Sequence, residues 1–290
     1  MEHKQLRWFL LIGLALVWGS SFILMKLSLQ GLSAIQVGAL RMIISAVFLL
    51  SIGFNKLKLI HKRHWKYIFL NAILGTFFPV FLFAFAVQHI DSGVVAILNS
   101  LTPLNTLILG FFFFGFIFRR KQILGVIIGM LGTVFLIVQS ANVNPDDNYW
   151  FALTVIIASI GYAFNVNILK KYLADLDATA IAVGNFLLVV FPAIIVLIST
   201  GFFRLHLLSS PVLPAIGYMS ILAIVGTALA KIFFNRLVQI SSPVFASSVT
   251  YLIPVVALIW GFLDDEHINI LQILAGILIL FGVYLVNKKD

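Results

Sequence analysis

Four cations stand inside long apolar runs of this 290-residue chain: Lys26, Arg41, Lys231 and Arg236. No Asp or Glu accompanies them there. A charge at the centre of a bilayer costs about 2.5–3.5 kcal/mol on insertion scales, so it turns to a cavity or a partner. Lys26 and Arg236 lie near the ends of their runs, where a long stem can carry the charge to water. Arg41 sits roughly 10 Å inside its run at 1.5 Å per residue, and Lys231 is similarly deep. Cations without a carboxylate attract an anion in a low-dielectric site, which points to a ligand bearing a carboxylate.

Polar neighbours share that bias. Thr227, Lys231 and Asn235 stand at i, i+4 and i+8 on one helix face. Asn99, Thr102 and Thr106 make a second such face, and Tyr162 with Asn165 a third. For each face the alternative is interhelical hydrogen bonding, worth about 0.6–2 kcal/mol. Trp18, Phe83, Phe234 and Tyr251 could surround an apolar body, although the chain has 28 Phe and most must face lipid or core. Catalysis has no foothold. The runs hold no Asp, Glu or His except His89 at an edge, and neither H-E-x-x-H nor G-x-S-x-G occurs. There is no cysteine, so no disulfide or thiolate metal site. We expect no catalytic residue, no metal and no cofactor.

The elements carrying these residues follow from composition. With 62% hydrophobic residues, 10% charged and a mean hydropathy of +1.12, the chain cannot clothe a water-facing surface. A cytosolic enzyme, a nucleic-acid-binding domain and a disordered chain are excluded, and the partner is the lipid bilayer. Apolar stretches at 8–29, 34–54, 67–88, 93–117, 122–140, 149–169, 178–201, 213–238, 242–263 and 269–287 are each long enough to span as helices. The first is read as a retained span, since no A-x-A site follows and Lys26 lies within it. With the amino terminus placed in the cytoplasm, fourteen basic residues fall in loops and tails on that side and only Arg204 opposite. The bias puts both termini in the cytoplasm. It also accounts for the net charge of +9 without nucleic acid.

A shift of 151 residues lays Gly75-Thr76 on Gly226-Thr227, Gln88 on Gln239, Pro103 on Pro254 and Gly110 on Gly261. A shift of 150 lays Gln122-Ile123-Leu124 on Gln272-Ile273-Leu274. We read two copies of five spans, residues 1–144 and 145–290. Five is odd, so the second copy enters the membrane inverted. Inverted repeats typify secondary transporters, with a midplane site between the copies and alternating access. Pro103 and Pro254, the symmetric pair among the span prolines, are the hinge candidates.

The chain resembles the drug/metabolite transporter superfamily, in particular its EamA-type ten-helix exporters. The resemblance is carried by Val17-Trp18-Gly19-Ser20-Ser21-Phe22 with Lys26, Ala39-Leu40-Arg41, the stretch Asn99 to Pro103, Gly125, Gly129 and Gly132, Gly226-Thr227, and Tyr251 to Pro254. It implies a cavity lined by spans 1, 3, 4, 6, 8 and 9, with spans 5 and 10 peripheral. It also implies export of small metabolites, amino acids among them, across the inner membrane. The chain departs from the common pattern at Ile253, at Asp264-Asp265-Glu266 and at Lys231. The expectation is a small-molecule exporter for amino acids or related carboxylates. Its binding residues are Lys231, Asn235, Thr227, Asn99, Thr102, Asn165, Tyr162, Tyr251, Trp18, Arg41 and Lys26. Phosphorylated metabolites or nucleotide sugars are the alternative cargo, and a channel or lipid scramblase the alternative device. Without an intramembrane carboxylate, a proton relay is not expected. The G-x-x-x-G at Gly125 and Gly129 is expected to pack within the chain, with homodimerisation as the alternative.

Overall fold

Runs of twenty apolar residues in lipid can bond only to their own peptide groups, which leaves the helix as the available form. The computed structural model describes residues 3–90, 92–141, 149–263 and 270–287, and it is 88% helix with no strand among them. The acids Asp91, Asp146, Asp147, Asp264, Asp265 and Glu266, the basic Lys288 and Lys289, and the junction at 144–145 lie outside the described residues.

The chain begins with α1 (His3–Ser28) and α2 (Ala34–Gly53). Next come α3 (Trp65–Ala72), a π-helical segment Ile73–Phe77, and α4 (Phe78–His89). Helix α5 (Ser92–Leu98) passes through a 3-10 turn, Asn99–Leu101, into α6 (Thr102–Phe114), and α7 (Arg120–Ala141) follows. The rest comprises α8 (Ala152–Tyr172), α9 (Ala178–Ser199), α10 (Val212–Ala223), a second π segment Ile224–Leu229, and α11 (Ala230–Ile240). Helices α12 (Pro243–Ser247), α13 (Val249–Leu263) and α14 (Ile270–Asn287) complete it. Among the described residues, seven helical runs are long and apolar enough to cross a bilayer, with shorter apolar stretches at Pro243–Ala257 and Ile273–Val286.

Local chemistry sets several boundaries. Ser33 accepts from Gln36 N–H while the Gln36 side chain accepts from Ser33 N–H, a reciprocal cap that starts α2. Asp177 caps α9 through Thr179 and Ala180 N–H. Gly115, at φ 69°, turns the chain out of α6 in a left-handed conformation that costs glycine little.

Helix α1 packs on α13, α10 and α11, while α8 packs on α6, α3 and α4. Helix α2 meets α9, α10 and α4, while α9 meets α3 and α11. Helices α7 and α14 pair closely at the margin. Gly125 and Gly129 lie against the backbone around Gly282 and Val286, and Gly132 against Ile279 and Ala275. The glycine face is therefore filled within the chain.

The outside is apolar, with Phe9, Leu16, Phe111, Phe112, Phe113 and Phe191 exposed, and the inside holds Asn71, Asn165, Asn167, Asn185 and Asn235, all buried. That inversion suits a lipid solvent. The basic segments gather at one end. Lys56 pairs with Asp177 at 3.3 Å and Arg63 with Asp175 at 3.1 Å. Lys170 Nζ caps the end of α11 on the carbonyls of Val238, Gln239 and Ser241. At the opposite end Gly31 lies against Pro211, and His89 stacks on Phe151.

Candidate functional site

A cavity of about 110 Å³ lies between α1, α2, the two π segments, α8, and the breaks preceding α6 and α13. It has room for roughly eight water-sized spheres, the scale of a small organic molecule. Its walls include Trp18, Arg41, Asn99, Thr102, Tyr162, Asn165, Thr227 and Lys231, eight of the eleven binding residues expected from sequence. None of its lining residues is acidic.

Each interruption of a helix frees a carbonyl, and the freed oxygens organise the site. Pro79 has no N–H to give to Gly75 four residues earlier, and Gly75 O instead accepts Lys231 Nζ at 3.2 Å. In the second π segment Ala230 N–H bonds Thr227 O and Val225 O, passing over Gly226 O. That oxygen accepts Trp18 Nε1 at 3.0 Å. Pro103 gives no N–H to Asn99 O, which instead accepts the Thr102 backbone N–H and the Thr102 hydroxyl, the latter at 2.7 Å. Pro254 leaves Thr250 O, which takes the Ser100 hydroxyl at 2.8 Å. Arg41 reaches across from α2 and donates through Nε to Thr227 Oγ1 at 2.6 Å, and that hydroxyl in turn donates to Leu222 O. Both cations thus donate to neutral oxygens, which leaves the positive charge without a counter-ion among the lining residues.

The walls between are aromatic. Tyr162 stacks on Phe83 at 5.6 Å, Phe83 meets Phe22 edge-on, and Trp18 leans on Phe234 at 5.1 Å. Asn165 is held by Asn71, to whose carbonyl it donates at 3.2 Å, and Asn71 accepts from Asn185 at 2.6 Å. The Asn165 side chain lies directly over Gly75, where a Cβ would fall 2.5 Å from Asn165 Cβ. Only glycine allows α8 to approach the first π segment this closely.

Three expected binding residues lie elsewhere. Lys26 is exposed while its neighbour Met25 faces the cavity, which fits a charge carried to the periphery. Arg236 is exposed as well. Asn235 is buried but donates to Ala178 O at the start of α9. It sits a turn beyond Lys231, past the cavity floor, so the stripe of three reaches the space with only its first two members. Tyr251 points to the other side of α13, packed on Gly129 with its hydroxyl 3.4 Å from Val126 O. The glycines of α7 are the notch that receives its ring. Pro103 and Pro254 border the cavity at its two broken helices, beside the lining residues Thr102 and Ile253.

Sequence reasoning missed Ser21, Thr76, Ser247, Thr250 and Phe186 as wall residues. Thr76 carried a usable signal, because it stands opposite Thr227 in the matched Gly-Thr pairs. The residue is 3% exposed, and its buried hydroxyl has no hydrogen-bond partner.

Residues 6–138 and 149–288 each match the EamA-like transporter family. The chain is 25% identical over 288 residues to the uncharacterized inner membrane transporter YedA of Escherichia coli (strain K12), covering 96% of this chain and 89% of that one. It is 28% identical over 290 residues to a transporter of Archaeoglobus fulgidus, covering 98% and 99%. A probable amino-acid metabolite efflux pump of Escherichia coli (strain K12) is 25% identical over 281 residues, covering 93% and 90%. A crystal structure matches with a TM-score of 0.73 at 14% identity, covering 96% of this chain and 95% of that one, a likeness of fold.

Proposed function

Because the chain belongs to the EamA-like transporter family, a family of membrane transporters rather than enzymes, we propose that it is a ten-span inner-membrane carrier exporting small carboxylate-bearing metabolites by alternating access. The observation that carries this reading is the cavity itself, which holds Arg41 and Lys231 with no acidic group among its lining residues. A single carboxylate answers both cations, and the aromatic walls suit an apolar remainder. The relative described as an amino-acid metabolite efflux pump points to the same chemistry.

Alternating access between two inverted copies, 1–144 and 145–290, is supported by matched irregularities. The π segments Ile73–Phe77 and Ile224–Leu229 carry the equivalent Gly-Thr pairs, and each glycine carbonyl takes a donor from the other half. The contacts of α1 with α13, α10 and α11 have counterparts in those of α8 with α6, α3 and α4. Rocking one half against the other would exchange these crossed bonds, with Pro103 and Pro254 as the yielding points. Both termini are assigned to the cytoplasm with the basic end.

The chain has no cysteine, so single cysteines can be introduced without background. Cysteines at residues 1 and 145 should react with a membrane-impermeant maleimide from opposite faces. Liposomes holding the purified protein should show saturable counterflow of carboxylates without a pH gradient. Labelling of both sites from one face would end the inverted-repeat reading. Non-saturating flux would indicate a channel or scramblase.

A further inference from the structure

We propose that the cavity prefers carboxylates lacking a free amine, flat apolar-bodied acids of net negative charge, over zwitterionic amino acids. This narrows the carrier reading above and rests on it. Arg41 is anchored on Thr227, and Lys231 follows four residues on, about 6 Å along the helix axis. Both therefore face one small space. In an α-amino acid the ammonium nitrogen is only about 2.5 Å from the carboxylate carbon. A carboxylate drawn to the two cations thus brings a third positive charge beside them.

No negatively charged group in the walls answers that charge. The lining residues include no Asp or Glu. The carbonyls at the breaks, the natural acceptors, each already hold a donor: Gly75 O from Lys231, Gly226 O from Trp18, Asn99 O from Thr102 and Thr250 O from Ser100. The one Thr102 hydroxyl proton is shared between Asn99 O at 2.7 Å and the Asn99 amide oxygen at 3.2 Å. Tyr162 and Phe83 turn one face each to the other, and Trp18 tilts against Phe234.

An anion, by contrast, meets an unfilled donor. The Thr76 hydroxyl is buried in the wall without a partner, next to Gly75, whose carbonyl holds Lys231. A carboxylate arriving there can accept from Lys231, Arg41 and Thr76 together. The rings of Phe22, Phe83 and Tyr162 leave an apolar slot for its body.

The test compares 3-phenylpropionate with L-phenylalanine, which differ only by the amine, together with phenethylamine and inorganic phosphate. Binding to the purified full chain is measured by titration calorimetry at pH 7.5, and counterflow of each compound in liposomes is followed in parallel. Phenylpropionate should bind at least tenfold more tightly than phenylalanine, and phenethylamine weakest of all. Lys231→Met should reduce the preference to less than threefold, and Lys231→Arg should retain it. Equal or tighter binding of phenylalanine, stronger binding of phosphate, or an unchanged preference in folded Lys231→Met would overturn the proposal. Saturable counterflow of phenylalanine with none of phenylpropionate would leave the carrier reading standing and remove this one. Absence of saturable exchange for every probe would remove both.

Discussion

Replacing Gly75 by alanine tests the approach of α8 to the first π segment. The new methyl would fall 2.5 Å from Asn165 Cβ and closer still to its amide. Rotating the Asn165 side chain cannot relieve contact with its own Cβ, so the helices must separate by about 1 Å to restore ordinary van der Waals distance. Overpacking of this kind costs about 1–3 kcal/mol, and loss of the Asn165–Asn71 hydrogen bond about 1 kcal/mol more. Alanine regains about 1 kcal/mol of helix propensity. The net destabilisation is therefore about 1–3 kcal/mol. Gly217→Ala is the control, because a Cβ there meets nothing within 4 Å and should be neutral or slightly stabilising. Gly226→Ala should fall between, since its methyl meets Ser21 Oγ at 2.7 Å and Leu222 Cδ1 at 2.9 Å, the movable tips of side chains. Reversible unfolding in micelles, followed by circular dichroism, ranks the three. Gly75→Ala as stable as Gly217→Ala would refute the reasoning.

Ser100→Ala should cost about 1–3 kcal/mol, because it strips the Thr250 carbonyl of its donor in a buried site; an unchanged unfolding midpoint would show that the carbonyl finds another donor. Gly282→Ala should destabilise more than Gly276→Ala, since its methyl would meet Gly129 N at 2.6 Å and Gly125 O at 2.7 Å while Gly276 has open space, and the same unfolding titration compares them. Burial alone would raise the Asp177 carboxyl, but hydrogen bonds from Ala180 N–H, Lys56 and Thr179 N–H outweigh it and hold the group below its ordinary value of 3.8. Its stabilising effect is then present above that value and disappears as pH falls through the lower native one. Asp177→Asn keeps the cap and removes the charge, so it should lose no more than about 1 kcal/mol at pH 7 after screening. At pH 3 the difference from the parent should shrink, and a gap that grows on acidification would contradict the assignment.

The membrane character and the helical stretches were legible because hydropathy alone dictates them, and the seven long runs fall where the apolar segments lie. Lys231, Arg41 and Thr227 were legible as well, since a charge or hydroxyl stranded in apolar sequence has few other places to go. What the pattern could not convey was rotation about a helix. Tyr251 and Asn235 are as polar as the residues that reach the cavity, yet one faces the notch at Gly129 and the other the start of α9. A π segment adds a residue to a turn and rotates everything beyond it, so a face counted in steps of four drifts across the second π segment into α11. Nor does periodicity reveal which carbonyls proline leaves open, although Pro79 and Gly75 stand four apart in plain view.

The acceptor for Lys231 belongs to the main chain. A charge partner built from aspartate could be erased by one nucleotide change, whereas Gly75 O is a peptide oxygen that no side-chain identity supplies. Pro79 keeps that oxygen open, because any other amino acid there would bring an amide hydrogen able to compete for it. Retuning of this centre can therefore run through a residue outside the cavity wall.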